Sequence, residues 1–323
     1  MIITRTPLRI SFFGGGTDIS SYYRKDYGCV LGMTIDKYIY LILNKRFEKS
    51  IRVSYRKNEI VDDVKKIKHD IIRESLKFFG IKNNIEVVTV ADIPGTGTGL
   101  GSSSSLTVGL CNALSLFVGK KFSKKRMAED ASYIEINKIL SPIGKQDQYF
   151  AAFGGLLFLK FNKNGHVKVE HLKLSKNAIK ELETNTLAFY TGISRKTNNI
   201  LKHQTKNLYK NKPLLDKMRE FAEGARDYLK NNNLIEFAGL LDKNWNLKKQ
   251  LSSSVSNPLI DSIYKKAIQA GAIGGKIAGS GGGGFILLYC EPNHQKKVRE
   301  SLKKLTELRF SIDNFGTQVT FDE

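Results

Sequence analysis

Four serines, Ser102 to Ser105, follow a glycine-rich run that opens at Pro94-Gly95 and continues through Gly97, Gly99, Leu100 and Gly101. Residues without a Cβ let backbone amides crowd round a ligand. The run leads straight into Leu106-Thr107-Val108-Gly109-Leu110-Cys111-Asn112-Ala113-Leu114, where Leu106, Leu110 and Leu114 share one helical face. A serine-capped helix start beneath such a loop offers unpaired N–H groups and a positive dipole end, which suits phosphate. The plainer alternative is a flexible linker, but linkers seldom run directly into a periodic helix.

Other phosphate loops do not fit. A Walker A loop needs a glycine-lysine pair at a fixed spacing that this chain lacks. Gly279, Gly281 and Gly284 match a dinucleotide fingerprint but lead into Phe285-Ile286-Leu287-Leu288-Tyr289, a strand pattern, where the fingerprint must open a helix. Arg226-Asp227 with Asn232 mimics a protein-kinase catalytic loop, yet it precedes those glycines and no Asp-Phe-Gly occurs.

Pro94, Gly99, Leu100, Gly101, Ser102 and Ser103 fill the pattern P-x-x-x-G-L-G-S-S and resemble the second motif of the GHMP kinases. Two further motifs stand in the family's order, Pro7-Leu8-Arg9-Ile10-Ser11-Phe12-Phe13-Gly14-Gly15-Gly16-Thr17-Asp18 and Lys276-Ile277-Ala278-Gly279-Ser280-Gly281-Gly282-Gly283-Gly284. The resemblance implies ATP bound at Pro94, Gly97 and Gly99 through Ser104, with Mg²⁺ held by Ser103 and Glu135. It places Asp147, in Gly144-Lys145-Gln146-Asp147-Gln148, against the acceptor hydroxyl as a base. Arg9 and Lys145 are the cations expected to stabilise the charge of that aspartate or of the moving phosphate. Gly281, Gly282 and Gly283 are implied to pack under the phosphate loop and the substrate.

The first motif bears on the acceptor. Galactokinase-like chains carry a glutamate where this chain has Gly15, while Gly16, Thr17 and Asp18 keep the rest of the sugar-binding segment. Ser141 to Tyr149 and Thr191-Gly192-Ile193-Ser194-Arg195 resemble segments of the D-glycero-D-manno-heptose 7-phosphate kinases. That likeness implies phosphorylation of the anomeric C1 hydroxyl of a sugar phosphate, with Arg195 as clamp for its phosphate. Alternatives are another GHMP sugar kinase, acting on a free deoxyhexose or uronic acid, and a non-catalytic regulator that binds sugar or ATP.

The elements that must position these residues read as α+β. Strands are expected at 2–5 and 8–13 on either side of Pro7, a β-meander over 28–55, a helix over 62–79 and a strand at 84–91. Helices 123–139 and 145–153 follow, then strands 155–161 and 167–172. A Lys/Asn/Glu-rich segment, 173–185, lacks a long apolar run and reads as a boundary. A strand over 186–190 and helices near 197–210, 213–231, 233–251 and 257–270 come next. A strand, a helix over 292–306 and a strand over 315–321 complete the pattern. The resemblance implies two lobes, 1–180 like ribosomal protein S5 domain 2 and 181–323 ferredoxin-like, with the site between them.

At 323 residues, 41% hydrophobic and 26% charged, the chain has the composition of a globular enzyme. Its apolar runs are too short to span a bilayer. The first residues lack a signal-peptide pattern, which predicts a cytoplasmic protein. Three scattered cysteines argue against a disulfide framework or a cysteine metal site. A net charge of +21 suggests nucleic acid, but the lysines are spread in pairs such as Lys65-Lys66, Lys248-Lys249 and Lys303-Lys304. Solvated helix faces are the expected reading, with small anionic ligands rather than specific nucleic acid or membrane as partners.

Overall fold

The computed structural model describes residues 1–93, 97–193 and 208–323. In chain order come β1 (Ile2–Phe13), α1 (Ser20–Tyr23), β2 (Tyr27–Lys45), β3 (Ile51–Ser54), β4 (Asn58–Val61), α2 (Asp70–Phe78) and β5 (Ile85–Ala91). Then follow α3 (Ser102–Phe117), α4 (Lys124–Tyr133), α5 (Gln146–Phe153), β6 (Leu156–Asn162), β7 (Val167–His171), α6 (Lys176–Asn185) and β8 (Thr186–Tyr190). The rest comprises α7 (Leu208–Lys230), α8 (Leu234–Gln250), α9 (Pro258–Gln269), β9 (Gly274–Ile277), β10 (Phe285–Tyr289), α10 (Pro292–Ser301), β11 (Thr306–Leu308) and β12 (Gln318–Asp322).

β1 is one buried strand, not two pieces separated by Pro7. The register with β2 shifts between Pro7 and Leu8, and a bulge is where a strand tolerates a residue without an N–H. β2 is long enough to pair with three strands: β1 along its length, β6 through Tyr27–Met33 and β5 through Ile39–Lys45. The expected meander over 28–55 does not form. β5 lies between β2 and β3, and it pairs with β3 in parallel. A parallel pair needs a crossover, and the stretch containing α2 supplies it. The expected helix over 62–79 is accordingly a 3₁₀ turn at Val64–Lys66 followed by α2.

The first sheet runs β12-β1-β2-β5-β3-β4, with β6 and β7 joined through β2. The second runs β11-β8-β10-β9. Segment 173–185, expected as a boundary, contains α6, capped by the Ser175 hydroxyl, which accepts from the Ala178 amide. Residues 208–230 form a single helix through Pro213, whereas a break was expected there. α10 stops at Ser301, and β11 occupies the end of the expected helix. β9 was not anticipated.

The two sheets share a core. Phe12 and Phe13 of β1 each meet Phe237 of α8 edge-on at 5.3 Å, and Leu8, Ile10, Leu287 and Tyr289 belong to the same buried cluster. Burying side chains of this size contributes about 1.5–3 kcal/mol each. This shared cluster fixes the end of β1 against the second half of the chain. Among the described residues no helix is long and apolar enough to cross a membrane.

β12 returns from the second half to pair with β1 from Ile2↔Asp322 to Arg5↔Gln318, and Arg5 donates to the Gln318 side chain. Deleting Gln318–Glu323 should lower unfolding stability by about 2–4 kcal/mol, at a net ~1 kcal/mol per lost hydrogen bond. Urea unfolding measures this. An unchanged midpoint would show that the returning strand contributes nothing.

Candidate active site

α3 begins at Ser102, and its N-cap is Gly101 at φ 80° with no side-chain cap bond. The serine cap expected from the sequence is therefore replaced by a glycine in the left-handed region. The serines divide their tasks. Ser105 Oγ donates to the Pro7 carbonyl and ties the helix to β1. Ser102 Oγ is buried without a hydrogen-bond partner, and Ser103 is exposed. Helix geometry leaves the first N–H groups without intrahelical acceptors, so the start of α3 presents donors and a positive dipole end. Leu100 is fully buried, and its carbonyl accepts from the Arg9 amide at 3.0 Å. Pro94 lies outside the described residues.

The start of α3 and the loop before it border a cavity of about 530 Å³. It gathers Gly97, Gly99, Gly101 and Ser102–Ser104 with Arg9, Gly15, Gly16, Asp18, Glu135 and Asp147, residues drawn from five separate stretches of chain. The central contact is a bidentate ion pair. Arg9 Nε donates to Asp147 Oδ1 at 2.8 Å and Nη2 to Oδ2 at 2.6 Å, while Nη1 donates to the Gly99 carbonyl at 2.5 Å. Asp147 sits in the first turn of α5, where the helix dipole also favours a negative charge.

Asp18 reaches the same cavity because Gly144 leaves space for it. A Cβ on Gly144 would stand 1.9 Å from Asp18 Oδ2. The carboxylate accepts from the amides of Gly16 at 3.0 Å and Gln146 at 3.2 Å. Burial, with Asp147 nearby, pushes its pKa up. Thr17 is placed differently. Its hydroxyl is fully buried and donates to the carbonyls of Gly14 and Cys29, so it shapes the loop from beneath. A Cβ on Gly15 would meet only ordinary contacts, 3.7 Å from Gln146 Nε2 and 3.9 Å from Ser11 Oγ, so the cavity wall there tolerates a Cβ without a clash.

Glu135 lies where α4 widens into a π-helical turn, Ile134–Lys138. Such turns recur at functional sites because the extra residue re-aims side chains. Glu135 is 3% exposed and accepts from Gln148 Nε2 at 2.8 Å. Burial pushes its pKa up to about 7, against hydrogen bonds from Gln148, Ser104 and Thr107. With Ser103 on the same cavity wall and the unpartnered Ser102 hydroxyl beside it, the donors are hard oxygens of the kind Mg²⁺ takes. No group of three or more His, Cys, Asp or Glu side chains forms a metal cluster among the described residues. A metal at this site would thus share its coordination with the nucleotide, a common Mg²⁺ arrangement.

Four expected participants stand off the cavity wall. Lys145 does not line the cavity, and its ammonium lies over the Tyr23 ring at 5.9 Å. Gly281, Gly282 and Gly283 do not line it either: the Gly282 amide donates to Val255, and a Cβ at 283 would strike Ile193. The contact with the phosphate loop is made by Gly284, where a Cβ would lie 2.3 Å from the Thr98 carbonyl, and by the Phe285 amide donating to that carbonyl at 3.1 Å. Arg195 lies outside the described residues.

The structure adds cations that sequence reasoning did not place in the site. Lys276, directly before the third motif's glycines, is 2% exposed and donates to the carbonyls of Ser11 and Phe12. Lys248, read from the sequence as half of a solvated pair, is buried and donates to the Gly279 carbonyl. Tyr55 and Lys68–Ile71 extend the wall near the start of α2. Proximity to a glycine motif was the available signal for Lys276; Lys248 offered none.

Residues 64–155 match the family model for the GHMP kinases N terminal domain, and residues 225–307 that for GHMP kinases C terminal. A D-glycero-alpha-D-manno-heptose 7-phosphate kinase of Campylobacter jejuni is 33% identical, over 94% of this chain and 93% of its own. An L-fucokinase/L-fucose-1-P guanylyltransferase of Bacteroides fragilis is 27% identical over 92% of this chain but only 35% of its own length. In fold the chain resembles a D-glycero-D-manno-heptose 1-phosphate kinase from Bacteroides thetaiotaomicron, with a TM-score of 0.83, 23% identity and full coverage of both chains. It also resembles Lactococcus lactis galactokinase complexed with galactose, with a TM-score of 0.75, 18% identity and coverage of 99% and 94%. The chain belongs to the GHMP kinases, as an ATP-dependent sugar kinase.

Proposed function

We propose that the chain transfers the γ-phosphate of ATP to the anomeric C1 hydroxyl of D-glycero-D-manno-heptose 7-phosphate, giving the 1,7-bisphosphate used to make nucleotide-activated heptose. The observation that carries this reading is the Arg9–Asp147 pair, set between the glycine loop and the Gly15–Asp18 segment of one cavity. The heptose 7-phosphate kinase that is 33% identical supports the choice of acceptor. Residues 1–180 serve as the ATP-binding lobe and 181–323 as the second lobe. Dependence on ATP fits a cytoplasmic enzyme.

Phosphoryl transfer depends chiefly on positioning and charge neutralisation. The amides at the start of α3, with Gly97, Gly99 and Gly101, receive the phosphates of ATP. Ser103 and Glu135 would hold Mg²⁺, which when bound supplies charge neutralisation to the triphosphate. Asp147 orients the acceptor hydroxyl and takes its proton as the oxygen attacks. Arg9 holds Asp147 in place and offsets charge near the transferred group. Asp18 and the Gly15–Gly16 backbone receive the sugar.

A coupled ADP-release assay over free and phosphorylated sugars tests the acceptor. Heptose 7-phosphate should exceed free heptose by about 10–100-fold in kcat/KM, the worth of a charge-assisted phosphate contact. Equal use of both would assign the chain to free-sugar kinases, a reading the fucokinase likeness favours.

Asp147→Asn preserves shape and removes basicity, so kcat should fall about 10²–10⁴-fold while ATP still binds in calorimetry. More than about a tenth of wild-type kcat would remove Asp147 from proton transfer.

Ser103→Ala and Glu135→Gln should each raise the Mg²⁺ concentration giving half-maximal rate, by roughly tenfold or more if a ligand is lost. Unchanged metal titrations in both variants would take these residues out of the metal site.

A further inference from the structure

The wall of the cavity built by the second half of the chain carries polar groups that the steps above leave unused. Lys276 of β9 and Lys248 of α8 are 2% and 3% exposed. Two N–H groups of the Lys276 ammonium are taken by Ser11 O at 2.7 Å and Phe12 O at 3.0 Å. An ammonium has three donors, so one remains, and the side chain borders the cavity. Ser280 is 8% exposed, its hydroxyl has no hydrogen-bond partner, and it borders the same cavity.

A buried cation and a buried, unpartnered hydroxyl are both costly when nothing answers them. The other charges that line the cavity do not supply the answer. Arg9 of β1 is satisfied by Asp147 of α5, and burial discourages the charge of Asp18 in the loop after β1. Burial and the nearby Arg9 disfavour the charged form of Lys276 and lower its pKa to about 7. A ligand dianion would reverse that balance by supplying several acceptor oxygens at once.

We propose that Lys276 and Ser280, flanked by Lys248, form the subsite that holds the acceptor's own phosphate, a phosphomonoester. This rests on the reading of the acceptor as a sugar phosphate. It gives the discrimination between phosphorylated and free sugar to the third motif rather than to Arg195. Lys276 stands on β9, which pairs with β10 through Leu287, and Ser280 stands in the turn that follows.

The test compares kcat/KM for heptose 7-phosphate and free heptose in wild type, Ser280→Ala, Lys276→Gln, Lys276→Arg and Arg195→Ala. Lys276→Gln should cut the ratio of the two at least tenfold and Ser280→Ala at least threefold. Both losses should appear mainly in KM, with ATP affinity within twofold of wild type. Lys276→Arg, which keeps the cation, should retain most of the ratio. Ser280 makes no internal hydrogen bond, so its alanine variant should fold even if Lys276→Gln does not. Wild-type indifference to the phosphate would sink the sugar-phosphate reading itself. A discriminating wild type whose ratio survives in Ser280→Ala and Lys276→Gln would overturn the subsite alone, and a collapse confined to Arg195→Ala would place it there. Equal losses on both sugars would mean that Lys276 only supports the β1 carbonyls.

Discussion

One buried guanidinium joins the parts of this site. Arg9 is 4% exposed, its own amide is bonded to Leu100, and its side chain spans from the Gly99 carbonyl to both oxygens of Asp147. It thereby fixes a strand, a phosphate loop and the first turn of α5 relative to one another. Removing either member of such a pair leaves an uncompensated charge and typically costs about 3–5 kcal/mol. The pair is also specific in direction: a planar fork meeting a carboxylate admits few arrangements, which a lysine would not enforce. Asp147 is therefore held at a defined angle before any acceptor arrives. Pre-organisation of this kind is where positioned catalysis gains its advantage.

The second constraint is steric. Gly284 lets the second half of the chain lie against Thr98, and Gly144 lets the α5 approach lie against Asp18. In both places a neighbouring oxygen occupies the space of the missing Cβ, and Gly284 also takes a positive φ of 82°. The shared aromatic contact of Phe12 and Phe13 with Phe237 then presses the two sheets together behind the cavity. The walls of the cavity come from both halves of the chain, and their spacing is set by packing that lies outside it.

Local patterns were legible in the sequence, and returns over long distance were not. The glycine-serine loop, its helix, and Asp147 after the Pro142-Ile143-Gly144 turn are contiguous motifs, and each falls on the cavity. Pro7 misled because a bulge can absorb a missing donor, and the meander misled because pairing order depends on a crossover that alternation does not report. β12 could not be paired from its own residues. Lys248 shows the sharpest limit. Beside Lys249 it has the spacing of a solvated helix face, yet it lies at 3% exposure because the partner is a carbonyl 31 residues away.

The site's electrostatics follow from this assembly. Burial raises the pKa of Glu135 and Asp18 and lowers that of Lys276, so carboxylates and ammonium alike are pushed towards neutrality. Ser102, Gln146 and Ser280 each keep a buried polar atom without a partner on the same cavity. A core of this kind would be selected against as structure, since each unsatisfied group costs about 1–3 kcal/mol. It becomes favourable only when a ligand carrying both charge and many acceptor oxygens completes it. A triphosphate along the α3 end and the proposed anionic sugar towards β9 meet that description, and each would stabilise the fold by an amount that grows with the logarithm of its concentration over its Kd. These unpartnered polar atoms on one cavity wall are what the proposed choice of a phosphorylated acceptor rests on.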